Sequence, residues 1–219
     1  MKQEREYPGL YPPGSDPHNK KYETWLEEYT TKLLETHVSK NPNFDQIGTL
    51  SSKLKIGKVI MLAGAYGDNW SREISIPAGH DILVCAGFKN DTFAEDTDIR
   101  SGDEKALVNR VQQGTSYVTR KYISIDGKNV RNLDDFLVQT RIFDITFPKV
   151  GAVYYSVRAG PTKCVARGWP VIVKPFPKHS QHIIKFGIRA EIPSHSPIYN
   201  QLGNRALFEM NIKYTVNVE

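Results

Sequence analysis

The stretch QHIIKFGIRAEI, residues 181–192, alternates between apolar and mostly polar side chains, with His182 in phase with the apolar row. RALFEMNIKYTVNV, residues 205–218, repeats the pattern, and all of its even positions are apolar. A period of two residues is typical of a strand with one buried and one solvated face. Two such strands near each other in sequence favour an antiparallel sheet.

Further strand patterns lie upstream and are separated by short turns. They are GKVIMLAGAYG (57–67), REISIP (72–77), DILVCAGF (81–88), KYISIDGKNV (121–130), GAVYYSVRAG (151–160) and GWPVIVKPFP (168–177). At least eight strands and few helices predict a mainly β protein, namely an antiparallel β-sandwich resembling a jelly roll. In the turn after REISIP, we expect His80 and Asp81 to form an exposed polar pair.

Two helices are expected beside the strands. Apolar residues recur at helical spacing in an N-terminal helix over 20–38, and the S-x-x-E pattern of a capping box predicts a short inserted helix over 102–113. Residues 1–19 contain four prolines and two glycines and predict an extended arm. The predicted organisation is therefore an arm over 1–19 and a single β-sandwich domain over 20–219, which includes the N-terminal helix.

Four acidic residues follow the strand at 81–88. They are Asp91, Glu95, Asp96 and Asp98. Their spacing does not match a calcium loop, because Arg100 stands where an oxygen ligand is needed. We therefore expect a solvated acidic loop.

The N-terminal sequence and the two cysteines do not determine the cellular compartment. The N-terminus MKQEREYPGLYPPG has no apolar segment of the kind found in signal peptides, and no apolar run is long enough to span a membrane. A cytoplasmic protein and the mature form of an exported one are both compatible with this, so localisation stays open. Cys85 and Cys164 form no metal-binding pattern, and both free thiols and a single disulfide are considered.

Charge is distributed unevenly along the chain. The net charge is +5, but no acidic residue lies between Asp144 and Glu191, a stretch that holds eight basic residues. Basic side chains interleaved with aromatic rings suit an anionic polymer. The candidate ligand-binding residues are Arg158, Lys163, Arg167, Trp169, Lys174 and Lys178. Strand alternation offers the alternative that several of the aromatic residues are buried.

No motif identifies a catalytic residue or a cofactor site. The weak candidates for metal ligands are His80, His179 and His182. Because residues three apart on a strand point to opposite faces, His179 and His182 could share a metal only across a bend. No catalytic residue and no cofactor is predicted.

Four segments together resemble an uncharacterised microbial β-rich family. They are KVIMLAGAYGDNWSREISIPAGHDILV (58–84), ISIDGKNVRNLDDFLVQTRIFDITFP (123–148), GWPVIVKPFPKHSQHIIKFG (168–187) and MNIKYTVNV (210–218). They are similar in order to the family's V-x-x-L-A-G, Arg, I-P-A-G, I-D-G and G-x-H-x-I-x-F motifs, over residues 22–219. The resemblance implies a β-rich scaffold and no particular reaction.

Three hypotheses of function follow. The first is a non-enzymatic β-sandwich binding or accessory module, with a protein partner or a second copy contacted through the arm 1–19. The second is a module that binds an acidic glycan or nucleic acid through a basic face in 149–189. The third is a metal-dependent enzyme with a histidine site.

Overall fold

The computed structural model describes residues 9–67, 69–96, 98–153 and 157–219. The mainly β character predicted from the sequence is confirmed. The helices and strands are α1 (Tyr22–Glu35), β1 (Lys55–Ile56), β2 (Val59–Leu62), β3 (Asn69–Ile76), β4 (Asp81–Thr92), α2 (Glu104–Ser116), β5 (Val118–Ile125), β6 (Lys128–Asn129), β7 (Val138–Gln139), β8 (Phe143–Phe147), β9 (Gly160–Val173), β10 (Gln181–Glu191), α3 (Pro197–Gln201) and β11 (Leu207–Val218).

The strands form two sheets. The first has the order β1-β2-β4-β9-β7, with β8 also paired to β9, and the second has the order β3-β11-β10-β5-β6. The two strands with alternating sequences, β10 and β11, pair antiparallel from Gln181 opposite Asn217 to Glu191 opposite Leu207. Their apolar rows face the shared core.

Both sheets are mixed, so the prediction of purely antiparallel sheets is wrong. Strand β2 runs parallel to β4, and β3 runs parallel to β11. A parallel pair needs a crossover connection. Here β3 lies in the second sheet and carries the chain from the end of β2 to the start of β4. Side-chain alternation reports burial and not strand direction, which is why the sequence pattern did not reveal these pairs.

The first sheet is covered on both faces. On one face, the ring of Phe88 in β4 lies 5.5 Å from the ring of Tyr29 in α1. On the other face, a Cβ added to Gly87 would lie 2.3 Å from the Cδ1 atom of Ile188 in β10. Burial on both faces explains why β4 begins as a continuous apolar run.

The two predicted helices are present with shifted ends. Helix α1 buries the predicted aromatic and leucine face, including Trp25 and Leu33. Helix α2 begins one residue after Asp103, whose carboxylate accepts a hydrogen bond of 3.0 Å from the amide of Ala106. Asp103 is therefore the N-cap instead of the predicted Ser101. None of the helices in the described ranges has the length and apolar character needed to cross a bilayer.

Residues 9–19, the described part of the predicted arm, pack against their own chain. The amide of Tyr11 donates to the carbonyl of Ile172 at 3.0 Å, and the amide of Lys174 donates to the carbonyl of Gly9 at 2.8 Å. Leu10 thereby forms an antiparallel bridge with Val173 at the end of β9. Contact of the arm with a neighbouring subunit stays a prediction, and residues 1–8 lie outside the described residues.

Asp81 anchors this segment to the first sheet. The Asp81 side chain contacts His18 Nε2 and accepts a hydrogen bond of 3.3 Å from the Tyr11 hydroxyl. Only 2% of Asp81 is exposed, so the expectation of an exposed pair at residues 80–81 is wrong for the aspartate. Its carboxylate is buried because the arm, which is distant in sequence, covers it.

Candidate functional site

A cavity of about 190 Å³ lies between the two sheets, beside an irregularity in β4. The pairing register of β4 with β9 shifts between Cys85 and Phe88, which is typical of a β-bulge. Glycine at position 87 brings β4 close to Ile188 of the second sheet at this point. The cavity wall contains the aromatic residues Tyr29, Tyr66, Phe88, Trp169 and Phe208.

The cavity wall also contains polar side chains. Among them are Lys89, Asn43, Glu95 and Gln201, contributed by β4, by the 3-10 turn after α1, by the loop after β4 and by α3. None of these four residues was predicted as part of a site. The tertiary fold brings their segments to the same cavity.

The acidic residues at the end of β4 and in the loop after it form a charge cluster. Asp91 is 0% exposed and Asp96 is 1% exposed, so the expectation of a solvated acidic loop is wrong for these two residues, whereas Asp98 is exposed. The ammonium group of Lys89 contacts the Asp91 carboxylate and donates to the carbonyl of Asn90 at 2.7 Å. The cluster is buried because β4 continues its pairing with β9 as far as Thr92, beyond the end of the apolar run.

Arg110 of α2 forms ion pairs with two carboxylates of the cluster. Its guanidinium lies 3.3 Å from an oxygen of Asp96 and 2.5 Å from an oxygen of Asp98. The amide nitrogen of Gln201 also donates to Asp96. The amide oxygen of Gln201 is buried and has no hydrogen-bond partner among the described residues.

Burial raises the pKa of three carboxyl groups in this region, those of Asp91, Glu95 and Asp96, and for the last two the rise is large. Desolvation raises the pKa of Glu95 to about 7, and the nearby charge of Asp96 adds to the increase while Lys89 opposes it. Desolvation, followed by the charge of Asp91, also raises the pKa of Asp96 to about 7. Both carboxyl groups therefore exchange protons near neutral pH, whereas ordinary carboxyl groups are fully ionised there.

Some residues of the cavity wall have a side-chain polar atom that is enclosed by protein and has no hydrogen-bond partner among the described residues. They include Asn43, Glu95, Gln201 and Trp169. Asn43 is only 5% exposed and Trp169 only 3% exposed. Leaving a buried polar atom unpaired costs about 1–3 kcal/mol, so these positions lower the stability of the fold.

The thiol on the cavity wall is not activated. Burial raises the pKa of Cys85 to about 12, so the thiol stays protonated at neutral pH and is a poor nucleophile. Both Cys85 and Cys164 are free and buried. Free thiols and a disulfide were the two alternatives for the cysteines, and the structure shows free thiols.

The six residues predicted to bind an anionic polymer differ in burial and in their partners. Trp169 is buried in the cavity wall, so its expected exposure is wrong, and Lys163 is paired with Asp144 at 2.9 Å. The remaining four are Arg167, which donates to Gln139, Lys174, which lies over the ring of Tyr11, and the exposed Arg158 and Lys178. Tyr154 and Tyr155 lie outside the described residues. Binding of an anionic polymer stays a prediction.

The three candidate metal-ligand histidines occupy turns or a strand start. His80 Nδ1 lies 3.1 Å from the carbonyl oxygen of Pro77, and His179 has a left-handed backbone with φ of 60°. In the described part of the chain, no group of three or more His, Cys, Asp or Glu side chains is arranged to hold a metal ion.

His182 has the connectivity of a Ser-His-Asp arrangement. Its Nδ1 lies 2.7 Å from Asp126 Oδ2 and its Nε2 lies 2.9 Å from Ser180 Oγ. The Ser180 hydroxyl, however, donates its proton to the carbonyl of Pro177. The single hydroxyl proton of Ser180 is therefore already engaged by a backbone carbonyl, and this arrangement holds two surface turns together.

Comparison with protein-family models, with curated proteins and with solved structures gave no match to this chain. The resemblance to the uncharacterised β-rich family therefore stays a prediction.

Proposed function

We propose that the protein is a non-enzymatic binding module that holds a small, largely apolar molecule in the cavity between its two sheets. The observation that carries this proposal is a cavity of about 190 Å³ whose wall is mostly apolar and aromatic and includes a few polar side chains. A few convergent polar groups on a mostly apolar wall are the usual composition of a small-molecule site.

The volume limits the size of the ligand. An engineered apolar cavity of about 150 Å³ binds benzene, and the cavity here measures about 190 Å³. One six-membered ring with a short substituent fits this space. The aromatic residues on the wall, including Trp169 and Phe88, would pack against the ring.

The polar side chains of the wall would orient the ligand. Among them are Asn43, Lys89 and Thr115. A ligand with a polar substituent at one end would place that substituent near such a group while its apolar end remains among the rings.

The test is calorimetric titration of the full chain with one-ring probes, comparing wild type with a variant whose cavity is filled. Val118→Phe adds a ring at the cavity wall, and the matched control Val150→Phe makes the same change at a position that is 76% exposed. For ligands of this size we expect a Kd on the order of 0.1–1 mM. Val118→Phe should abolish binding and Val150→Phe should leave it unchanged. Equal binding by both variants would contradict the proposal.

A further inference from the structure

We infer that residues 193–206, the connection between β10 and β11, form a lid over the cavity, and that a ligand enters and leaves when this lid moves. Residues 193–206 are called the lid segment below. This inference rests on the proposed function and concerns how the same site opens and closes. It depends on which residues close the cavity, on how the segment is attached and on how it is packed.

The first argument is that the lid segment supplies part of the cavity wall. Ile198, Gln201 and Leu202, which belong to α3 or directly follow it, line the cavity. Pro197 and Asn200 of the same short helix are exposed to solvent. Helix α3 therefore lies between the cavity and the surrounding water, and moving it outward would open the cavity.

The second argument is the backbone attachment of the lid segment. Its two ends are joined, because the amide of Ile192 donates to the carbonyl of Ala206 at 2.8 Å. Its other backbone hydrogen bonds are internal, such as the bond of 3.0 Å from the amide of Tyr199 to the carbonyl of Ser196. Among the described residues, no backbone hydrogen bond links 193–205 to another part of the chain. The segment can therefore move as one compact loop about its joined ends.

The third argument is the packing of the lid segment. Ile198 is 3% exposed, and it packs with Ala190 and Ile192 in a small apolar cluster that is separate from the main core. Segments with few buried apolar contacts open at a lower free-energy cost than the whole fold. Opening of the lid segment should therefore be much more frequent than global unfolding.

Side-chain contacts hold the lid segment closed. The amide nitrogen of Gln201 donates to the carboxylate of Asp96, which lies in the loop after β4. Ile198 approaches α2 at a glycine, since a Cβ added to Gly114 would lie 3.1 Å from the Cδ1 atom of Ile198. Both contacts can break without loss of a backbone hydrogen bond. The hydrogen bond between Gln201 and Asp96 is the latch of the lid.

The two free cysteines of the chain allow a test of this opening. Cys85 lines the cavity, whereas Cys164 is fully buried at a position away from the cavity wall. Opening of the lid exposes the cavity wall alone, and global unfolding exposes both thiols. Burial raises the pKa of both cysteines, so the ratio of their reaction rates reports access.

The experiment is modification of the full chain by the small thiol reagent methyl methanethiosulfonate, followed by mass spectrometry of peptides. We expect Cys85 to be modified at least about tenfold faster than Cys164, because local opening is more frequent than unfolding. Toluene, a one-ring probe, should slow the modification of Cys85 to saturation and leave the rate of Cys164 unchanged.

Gln201→Ala removes the latch. We expect this variant to speed the modification of Cys85 about tenfold, the effect of one hydrogen bond to a charged group, and to leave Cys164 within about twofold. Gln113→Ala makes the same change at an exposed position of α2 and should alter neither rate. An unchanged rate of Cys85 in Gln201→Ala, or equal acceleration of both thiols, would overturn the inference.

The lid and the proposed function fail in different ways. Equal rates for Cys85 and Cys164 in the wild type, with toluene binding detected by calorimetry, would overturn the lid and leave the proposed function standing. Fast modification of Cys85 without binding of any one-ring probe would overturn the proposed function, and the role of the lid segment in ligand entry with it.

Discussion

The guanidinium of Arg72 donates a hydrogen bond of 2.7 Å to the hydroxyl of Tyr214, and both side chains are buried. The two residues are register partners in the parallel pair of β3 and β11. Arg72 also donates to four backbone carbonyl oxygens, two in the 3-10 turn after α1 and two in the segment after β2. These are Pro42, Asp45, Ala63 and Gly64. Hydrogen bonds of Arg72 therefore connect both segments, which contain the cavity-lining residues Asn43 and Gly64, to the second sheet.

Substitution of Arg72 should strongly destabilise the fold. Arg72→Lys keeps the charge but loses the planar fork, leaving several buried carbonyl groups unpaired, so we expect a loss of at least about 3 kcal/mol in the free energy of unfolding. Urea denaturation measures this. Arg205→Lys, at an exposed position, is the control. A variant Arg72→Lys within 1 kcal/mol of wild type, in the range of ordinary surface changes, would contradict the role assigned to this pair.

Stability should fall as the pH rises from about 4.5 to about 7. Burial raises the pKa of Glu95 to about 7 in the folded state, against an ordinary value of 4.5. Between these values the folded chain holds a proton that the unfolded chain has released, so stability decreases with pH by up to about 1.4 kcal/mol per pH unit for each such group. Glu95→Gln should flatten this slope. Urea denaturation at pH 5, 6, 7 and 8 is the measurement, and an unchanged slope in the variant would rule out Glu95 as its source.

Gly87 and Ile188 should be energetically coupled across the two sheets. Gly87→Ala places a Cβ 2.3 Å from the Ile188 side chain, and we expect overpacking to cost about 1–3 kcal/mol. Because Ile188→Ala removes the clashing atoms, its cost should be smaller in the Gly87→Ala background than in wild type. A double-mutant cycle by chemical denaturation tests this. Additive costs would show that the sheets are not in contact at this position.

His18 should hold residues 9–19 against the first sheet through Asp81. His18→Ala removes one of the two side chains that contact this buried carboxylate, so we expect faster hydrogen exchange of the Tyr11 and Lys174 amides. His195→Ala, at an exposed histidine, is the control. If these amides exchange equally fast in both variants, the packing of residues 9–19 against the first sheet does not depend on the contact between His18 and Asp81.

Much of the fold was predictable from local pattern, whereas most of the site was not. The alternation in β10 and β11 and the apolar face of α1 identified those elements correctly, since each pattern depends only on which face is buried. Strand direction depends on the path between strands, so the two parallel pairs were missed. Alternation alone also could not place β3 in a different sheet from its neighbours in sequence.

The charged residues after Phe88 were misinterpreted because charge usually indicates solvent. Lys89 and Asp91 stand two apart on a strand that continues from a buried run, and opposite charges on one strand face are a signal of a buried pair. That signal was available in the sequence. Asn43 and Gln201, in contrast, reach the cavity from opposite ends of the chain, and no local pattern marks them.

The most direct test of the central claim is the indole resonance of Trp169 in an amide and indole NMR spectrum during titration with toluene. Trp169 lies on the cavity wall, whereas Trp25 lies outside it, donates from Nε1 to the carbonyl of Pro17 at 3.1 Å and is an internal reference. We predict a saturable shift of the Trp169 resonance, no shift of the Trp25 resonance and loss of the effect in Val118→Phe. An unmoved Trp169 resonance, or equal movement of both, would contradict binding in this cavity.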